Sequence, residues 1–193
     1  MEVFDLYNKY GNNGYIGENV TQLEHATQCA FLAEEFCYTN ICPYQDDLII
    51  GSFLHDIGHL LIFDNKNNLE TMGNYGVMNH EEIGYKYLKD KGFNSNICEF
   101  ARNHINTKRY LITKNVEYYD KLSDASKKTF EYQGGKLSAN EMREFENNKL
   151  FKYHLKIREF DDKAKSTDKQ LLQKIKDLSP VKYYYDLYKN TLY

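Results

Sequence analysis

The sequence predicts an all-α protein, a compact helical bundle. Three observations carry this expectation. No segment sustains the apolar–polar alternation of a half-buried strand. Apolar residues recur instead at +3 and +4 spacing along most of the chain. Two runs open with capping-box patterns, Thr21-Gln22-Leu23-Glu24 and Ser138-Ala139-Asn140-Glu141, whose side chains can satisfy the first free amides of a helix. At 193 residues, 41% hydrophobic and 27% charged, the chain suits one domain with a full core.

The elements follow in order, about eight helices in all. No element is assigned ahead of Tyr15. The capping box at Thr21 opens a helix to about Tyr38. His25, Cys29, Leu32 and Phe36 share one face of it, so His25 points inward. The next helix starts near Gln45-Asp46 and carries Leu48, Ile49, Phe53 and Leu54 into His55-Asp56. Gly58 is expected to bend or end it. Asp64 to Asn68 and Met72 to Met78 read as loops. Asn79 is placed to cap a helix from His80 to about Lys91, which Gly92 stops. Ser95 is placed to cap the next helix, where Ile97, Ala101 and His104 share the apolar stripe.

One continuous helix is expected from about Glu117 to Tyr132, ending at Gly134-Gly135. The second capping box follows. A helix from about Leu150 to Lys163 sets His154, Ile157, Arg158 and Asp161 on one face. A last helix or pair covers about Asp168 to Asn190, broken at Pro180. The Tyr-rich tail from Tyr183 to Tyr193 is expected to be core contact or an oligomer surface.

Composition excludes several classes. The net charge is −3 with no basic block, so a nucleic-acid partner is not expected. Met1-Glu2-Val3-Phe4-Asp5 has no basic region leading into an apolar run, so no signal peptide is read. The longest apolar stretch, Leu48 to Phe63, is broken by His55, Asp56 and His59, and suits a buried helix better than a membrane span. Cys37 and Cys42 are close, but Cys29 and Cys98 make no second pair for a zinc site. The cysteines are expected to be reduced thiols in a cytoplasmic protein.

Five of the six histidines form a pattern with two aspartates: His25, His55-Asp56, His59, His80, His104 and Asp161. One inward histidine is most often a hydrogen-bonded core residue. The constellation argues for more. Adjacent His and Asp can hold one metal, and the second carboxylate oxygen can reach another. His25 and Asp161 complete a four-residue site, and His80 and His104 offer ligands to a second ion. His154 reads as structural.

The order His25, His55-Asp56, Asp161 resembles the HD-domain superfamily over most of the chain, and His80 and His104 point to a two-metal member. Most such proteins are phosphohydrolases. A small branch consists of mixed-valent diiron oxygenases. Tyr15-Ile16-Gly17-Glu18 looks like the Tyr-x-x-Glu lid of the phosphonate-cleaving PhnZ/TmpB family in that branch. Lys108, Leu122 to Ser126, Glu131 to Gly135 and Arg158 resemble its phosphonate-binding positions. The likeness runs from about Tyr15 to Asp161.

That resemblance implies a single HD domain over 1–193, with a lid near 14–19 and a C-terminal helical extension from about 168. It implies two iron ions, mixed-valent Fe(II)/Fe(III), with O2 as cosubstrate. One iron is held by His25, His55, Asp56 and Asp161. Asp56 bridges to the second, held also by His80 and His104 and capped by Tyr15 at rest. Tyr15, Glu18 and His59 are assigned to catalysis. The substrate is met by Glu18, His59, Lys108, Ser126, Gln133 and Arg158. Physically, a phosphonate needs fixed donors and positive charge in a dry pocket. Singly, Lys108 would be a solvated lysine, Ser126 and Gln133 helix-surface residues, and Arg158 the partner of a carboxylate.

The implied reaction is O2-dependent cleavage of the C–P bond of (R)-2-amino-1-hydroxyethylphosphonate to glycine and phosphate. The sequence leaves open whether the substrate nitrogen is primary or trimethylated. The other readings are a dinuclear phosphohydrolase acting on a nucleotide or other phosphate ester, and a metal-binding module without turnover.

Overall fold

The computed structural model describes residues 2–64 and 68–192. Among these residues there are twelve α-helices and one 3-10 turn, and no strand beyond two isolated bridges, Gly14 with Thr21 and Thr71 with Val77. The protein is all-α. No helix among the described residues is long and apolar enough to cross a membrane. The loop expected at Asp64 to Asn68 falls partly on residues 65–67, outside the described residues.

Four helices make the centre: α2 (Gln22–Thr39), α3 (Gln45–Leu54), α6 (Ser95–Lys114) and α10 (Phe151–Lys163), with α5 (His80–Asp90) laid along α6. Their inner faces are apolar at helical spacing. Ala26, Ala30 and Ala33 of α2, Leu48, Ile50 and Phe53 of α3, Ile97, Phe100 and Ala101 of α6, and Tyr153 and Ile157 of α10 are all buried. Burial of each large side chain in that set contributes about 1.5–3 kcal/mol. The alanines let α2 lie close to its neighbours. Thr21 caps α2 as the sequence predicts, with both halves of the capping box formed. Ser138 does the same for α9 (Ala139–Glu146).

The N-terminal helix α1 (Glu2–Tyr10) was not anticipated by the sequence reading. Val3, Phe4, Leu6 and Tyr7 are buried on it, and Tyr7 donates a hydrogen bond to the Phe53 carbonyl at 2.8 Å. The C-terminal pair, α11 (Lys169–Leu178) and α12 (Pro180–Asn190), breaks at Ser179 and Pro180 as expected. Two of its tyrosines are core contacts: Tyr184 packs on Phe53 at 4.6 Å and Tyr188 stacks on Phe93 at 4.2 Å between ring centroids, whereas Tyr183 is exposed. All four cysteines are free thiols.

Four boundary expectations are corrected. Helix α3 ends at Leu54, ahead of His55-Asp56, and the short α4 (Ile57–Leu60) restarts after them. Gly58 lies inside α4 rather than terminating α3. Its role is spatial, because a β-carbon there would overlap the backbone carbonyl of His80. Asn79 adopts the left-handed conformation and makes no side-chain cap; its carbonyl accepts from Glu82 and Ile83 amides instead. Asn94, not Ser95, caps α6, accepting from the Ile97 amide. The expected 117–132 helix is two, α7 (Val116–Lys121) and α8 (Asp124–Tyr132), because the Ser123 hydroxyl accepts from the Ser126 amide and starts a new helix.

Candidate functional site

Five elements bring the six candidate ligands together. His25 comes from the first turns of α2, and His55 and Asp56 from the break between α3 and α4. His80 heads α5, His104 lies mid-way along α6, and Asp161 is in the last turn of α10. All six are buried. The break after Leu54 matters here, because it turns both His55 and Asp56 inward from adjacent positions that a continuous helix would splay about 100° apart.

The ligand atoms form two groups that share Asp56. In the first, Asp56 Oδ2 lies 3.3 Å from His55 Nε2 and 3.7 Å from His25 Nε2, and Asp161 Oδ1 lies 3.5 Å from His25 Nε2. In the second, Asp56 Oδ1 lies 3.4 Å from His80 Nε2 and 3.2 Å from His104 Nε2. Ligand atoms around one transition-metal ion stand about 3 Å or slightly more apart, so both groups match that spacing.

The outer nitrogens support the same conclusion. Nδ1 of His25, His55, His80 and His104 each lies 2.7–3.2 Å from a backbone carbonyl, of Ala164, Ser52, Val77 and Ala101. These contacts place the ring proton on Nδ1 and leave Nε2 as a lone pair. His80 Nε2 and His104 Nε2 then face each other at 3.0 Å, two acceptors that call for a cation. Burial opposes a charge on His55, yet Asp56 outweighs it and raises the imidazole to about 9. Burial lowers His25 to about 4. Burial would raise the Asp56 carboxyl, but His55, His104 and His80 hold it well below the carboxylate range. The residues present suit two metal ions bridged by Asp56.

Cys29 Sγ stands 3.7 Å from His25 Nε2, a neighbour that the helical spacing had already put on the same face. Burial, then Asp161 and Asp56, push its thiol well up, which keeps it neutral.

The segment carrying Tyr15 and Glu18 covers this centre. The Tyr15 amide bonds the Val20 carbonyl at 2.8 Å and closes a tight loop. The Tyr15 ring stacks on His25 at 3.8 Å, and its hydroxyl donates to Asp56 Oδ2 at 2.9 Å, with Asp161 Oδ1 3.5 Å away. The resemblance puts this hydroxyl on the second metal. In the structure it lies nearest the oxygens of the first group, because stacking on His25 holds the ring on that side.

A cavity of about 50 Å³ opens beside the two groups, room for a few waters with Tyr15 in place. His59, Lys108, Ser126, Gln133 and Arg158 all line it. His59 Nδ1 accepts from the Val77 amide at 3.1 Å, which leaves Nε2 to carry the proton as a donor. Burial, then His80, depress its basicity, so it is a neutral donor. Gly76 makes room for this ring: at φ 93° a β-carbon would lie 2.6 Å from His59 Cε1.

Lys108 is buried and gives two bonds, to the Ser126 carbonyl at 3.2 Å and the Thr129 hydroxyl at 3.0 Å. Burial, then Arg158, lower its ammonium to about 7. The Gln133 amide oxygen is buried with no hydrogen-bond partner among the described residues. Arg158 is held firmly by protein groups. Nη1 donates to Asp161 Oδ2 at 2.8 Å, Nη2 to Asp162, and Nε to the Tyr118 hydroxyl at 2.9 Å. The carboxylate-partner reading of Arg158 is thus realised at the cavity wall.

Sequence reasoning missed Lys165. Its ammonium pairs with Glu18 Oε1 at 2.9 Å, and it lines the same cavity. The available signal was its position four residues after Asp161. His154 stays out of the site. It is buried beside Phe145 and Phe100, neither ring nitrogen has a partner among the described residues, and burial lowers it to about 4.

The HD domain model matches residues 22–128, more than half of the chain. That span holds His25, His55, Asp56, His80 and His104 and ends before Arg158 and Asp161. An uncharacterized protein of Acanthamoeba polyphaga mimivirus is 44% identical over 185 residues, covering 96% of this chain and 78% of that protein. A [1-hydroxy-2-(trimethylamino)ethyl]phosphonate dioxygenase (glycine-betaine-forming) of Leisingera caerulea is 36% identical over 163 residues, 84% of this chain and 78% of that one. A hydroxymethylphosphonate dioxygenase of Gimesia maris is 34% identical over 163 residues, 84% and 76% of the two chains. The HD domain match spans the buried His55-Asp56 pair at the helix break and His25, His80 and His104, which converge on it from three further helices, and the chain belongs to the HD-domain family.

Proposed function

We propose that this protein is an O2-dependent oxygenase that cleaves the C–P bond of a 1-hydroxyalkylphosphonate. One observation carries the reading: Asp56 splits its two oxygens between two histidine groups, and the cavity beside them is walled by Lys108, Arg158 and a His59 donor. Two relatives named as phosphonate dioxygenases, each aligned over 84% of this chain, support the same class. The sequence resemblance implies (R)-2-amino-1-hydroxyethylphosphonate, giving glycine and phosphate; which member of the class the site prefers turns on what Glu18 meets, and Glu18 is paired with Lys165.

His25, His55, Asp56 and Asp161 would hold one iron, and Asp56, His80 and His104 the other. The irons, mixed-valent when active, would supply O2 activation. The protein's own groups do the rest. Lys108 and His59 bind and orient the phosphonate oxygens, and Ser126 and Gln133 add neutral donors. Arg158 fixes Asp161 and adds positive charge to the wall. Tyr15 covers the centre at rest and keeps bulk water from it. The balance is hydroxyphosphonate plus O2 giving carboxylate, hydrogen phosphate and a proton. The C–H and C–P bonds at C1 break, and their electrons reduce O2.

The test is loading with ferrous iron under nitrogen, then phosphate release with and without O2. The expected outcome is phosphate only with O2, one O2 consumed for each phosphate. Phosphate release at full rate under strict anaerobiosis would assign the protein to the hydrolases instead. The Tyr15 hydroxyl, bonded to Asp56 Oδ2, favours the oxygenase, because a hydrolase needs an accessible metal-bound water and a tyrosine cap hinders it.

A further inference from the structure

Three carboxylates line the cavity among the described residues: Asp56, Asp161 and Glu18. Asp56 is surrounded by imidazoles, and Asp161 is bonded to Arg158. Only Glu18 stands outside the two metal-facing groups, so it is the group that a cationic substrate nitrogen would seek. It is already taken. Lys165 Nζ lies 2.9 Å from Glu18 Oε1 and 3.3 Å from the Ser123 hydroxyl, and both charged side chains are only 17% exposed. An ammonium arriving with substrate must displace one that the chain itself supplies.

The surroundings hold the pair in place. Gly17, between Tyr15 and Glu18, has φ 73°, and a β-carbon on it would lie 2.7 Å from that of Ala125. The lid therefore rests directly on the first turn of α8, whose cap, Ser123, also touches Lys165. Meanwhile the anionic end of a ligand meets Lys108 and the His59 donor, with the Arg158 guanidinium held in the same wall by Asp161 and Asp162. The wall is arranged for an anion and offers a cation no unpaired carboxylate.

We propose that Lys165 is a specificity-determining residue: by occupying Glu18, it makes the site favour a hydroxyphosphonate with no cationic nitrogen, of the hydroxymethylphosphonate class, over an amino or trimethylammonium one. This rests on the hydroxyphosphonate reading of the cavity. A small substrate of that kind also suits the limited free space. For it, the step balances as hydroxymethylphosphonate plus O2 giving formate, hydrogen phosphate and a proton.

The experiment uses full-length, iron-loaded protein and two probes, hydroxymethylphosphonate and (R)-2-amino-1-hydroxyethylphosphonate. Anaerobic calorimetry gives the affinity for each, and phosphate release in air gives kcat/KM. Wild type should prefer the amine-free compound in both. Lys165→Met should shift the ratio of affinities toward the amino compound by about ten-fold or more, the scale of one charge-assisted hydrogen bond. Lys165→Arg, which keeps a cation on Glu18, should retain the wild-type ranking. Lys165→Gln replaces Lys165→Met if the latter is insoluble. A wild-type preference for the amino compound, or an unchanged ratio in the neutral variants at full iron content, overturns the proposal. Failure of the underlying function looks different: the probes bind and rank as expected, but no phosphate appears. If neither probe binds, both proposals fall.

Discussion

Gly58 lies so close to His80 that a β-carbon on it would overlap the His80 backbone carbonyl. The contact joins the His55-Asp56 break to the head of α5, and so sets the distance between Asp56 and a ligand of the second group. Gly58→Ala should push α5 outward. Overpacking of this kind costs about 1–3 kcal/mol, a drop in Tm of several degrees. Metal analysis of iron-loaded protein should show one ion retained, on the His25 side. Full retention of two ions with an unchanged Tm would mean that α5 does not depend on this contact.

Asp56 is expected to hold both ions. Asp56→Ala should remove a ligand from each group and bring bound iron close to zero, whereas His104→Ala should spare the first group. An active wild-type enzyme with one tightly held ion would contradict the bridging role.

Arg158 bears on metal and substrate together. Removing one partner of a buried ion pair costs about 3–5 kcal/mol, and Arg158→Ala leaves Asp161 without its 2.8 Å partner. Lower Tm, reduced iron at the first group and weaker phosphonate binding are expected at once. An effect on phosphonate affinity alone would show that the Asp161 contact is dispensable.

Lys108 should make phosphonate binding depend on pH. Its ammonium is lowered to about 7 by burial and Arg158. Below that pH the lysine is charged and attracts the anion; above it the lysine is neutral, and affinity falls as pH rises. Calorimetric titrations between pH 6 and 9 check this. Lys108→Arg, charged throughout, should flatten the decline above pH 7. A decline of equal slope in that variant would assign the titration to another group.

Tyr15→Phe keeps the ring stacked on His25 and removes only the hydroxyl bonded to Asp56. C–P cleavage should persist, while bound iron should oxidise faster in air without substrate. Spectroscopic measurement of ferrous iron over time, against wild type, decides it. Equal oxidation rates would show that the hydroxyl does not protect the site.

Local periodicity made much of this protein legible. His25 had to face inward because Cys29, Leu32 and Phe36 share its helical face, and the capping boxes at Thr21 and Ser138 form as written. The α1 signal, Val3, Phe4 and Tyr7 at helical spacing, was present but short, and its partner α12 lies at the far end of the chain. The Ser123 cap was hidden within a run that is helix-forming on both sides. Gly58 is expected from sequence to bend or end α3, because a glycine required by a neighbouring backbone looks like one that breaks a helix.

By itself, then, the sequence determined the all-α class, the helices of the core and the order of the histidines and aspartates, because each depends on residues within a few turns of one another. The tertiary structure alone decided that Asp56 faces both histidine groups and that Glu18 is paired with Lys165. Those two last residues are 147 positions apart. Their meeting depends on how α8, α10 and the lid pack together, and no local pattern of spacing encodes a contact at that separation.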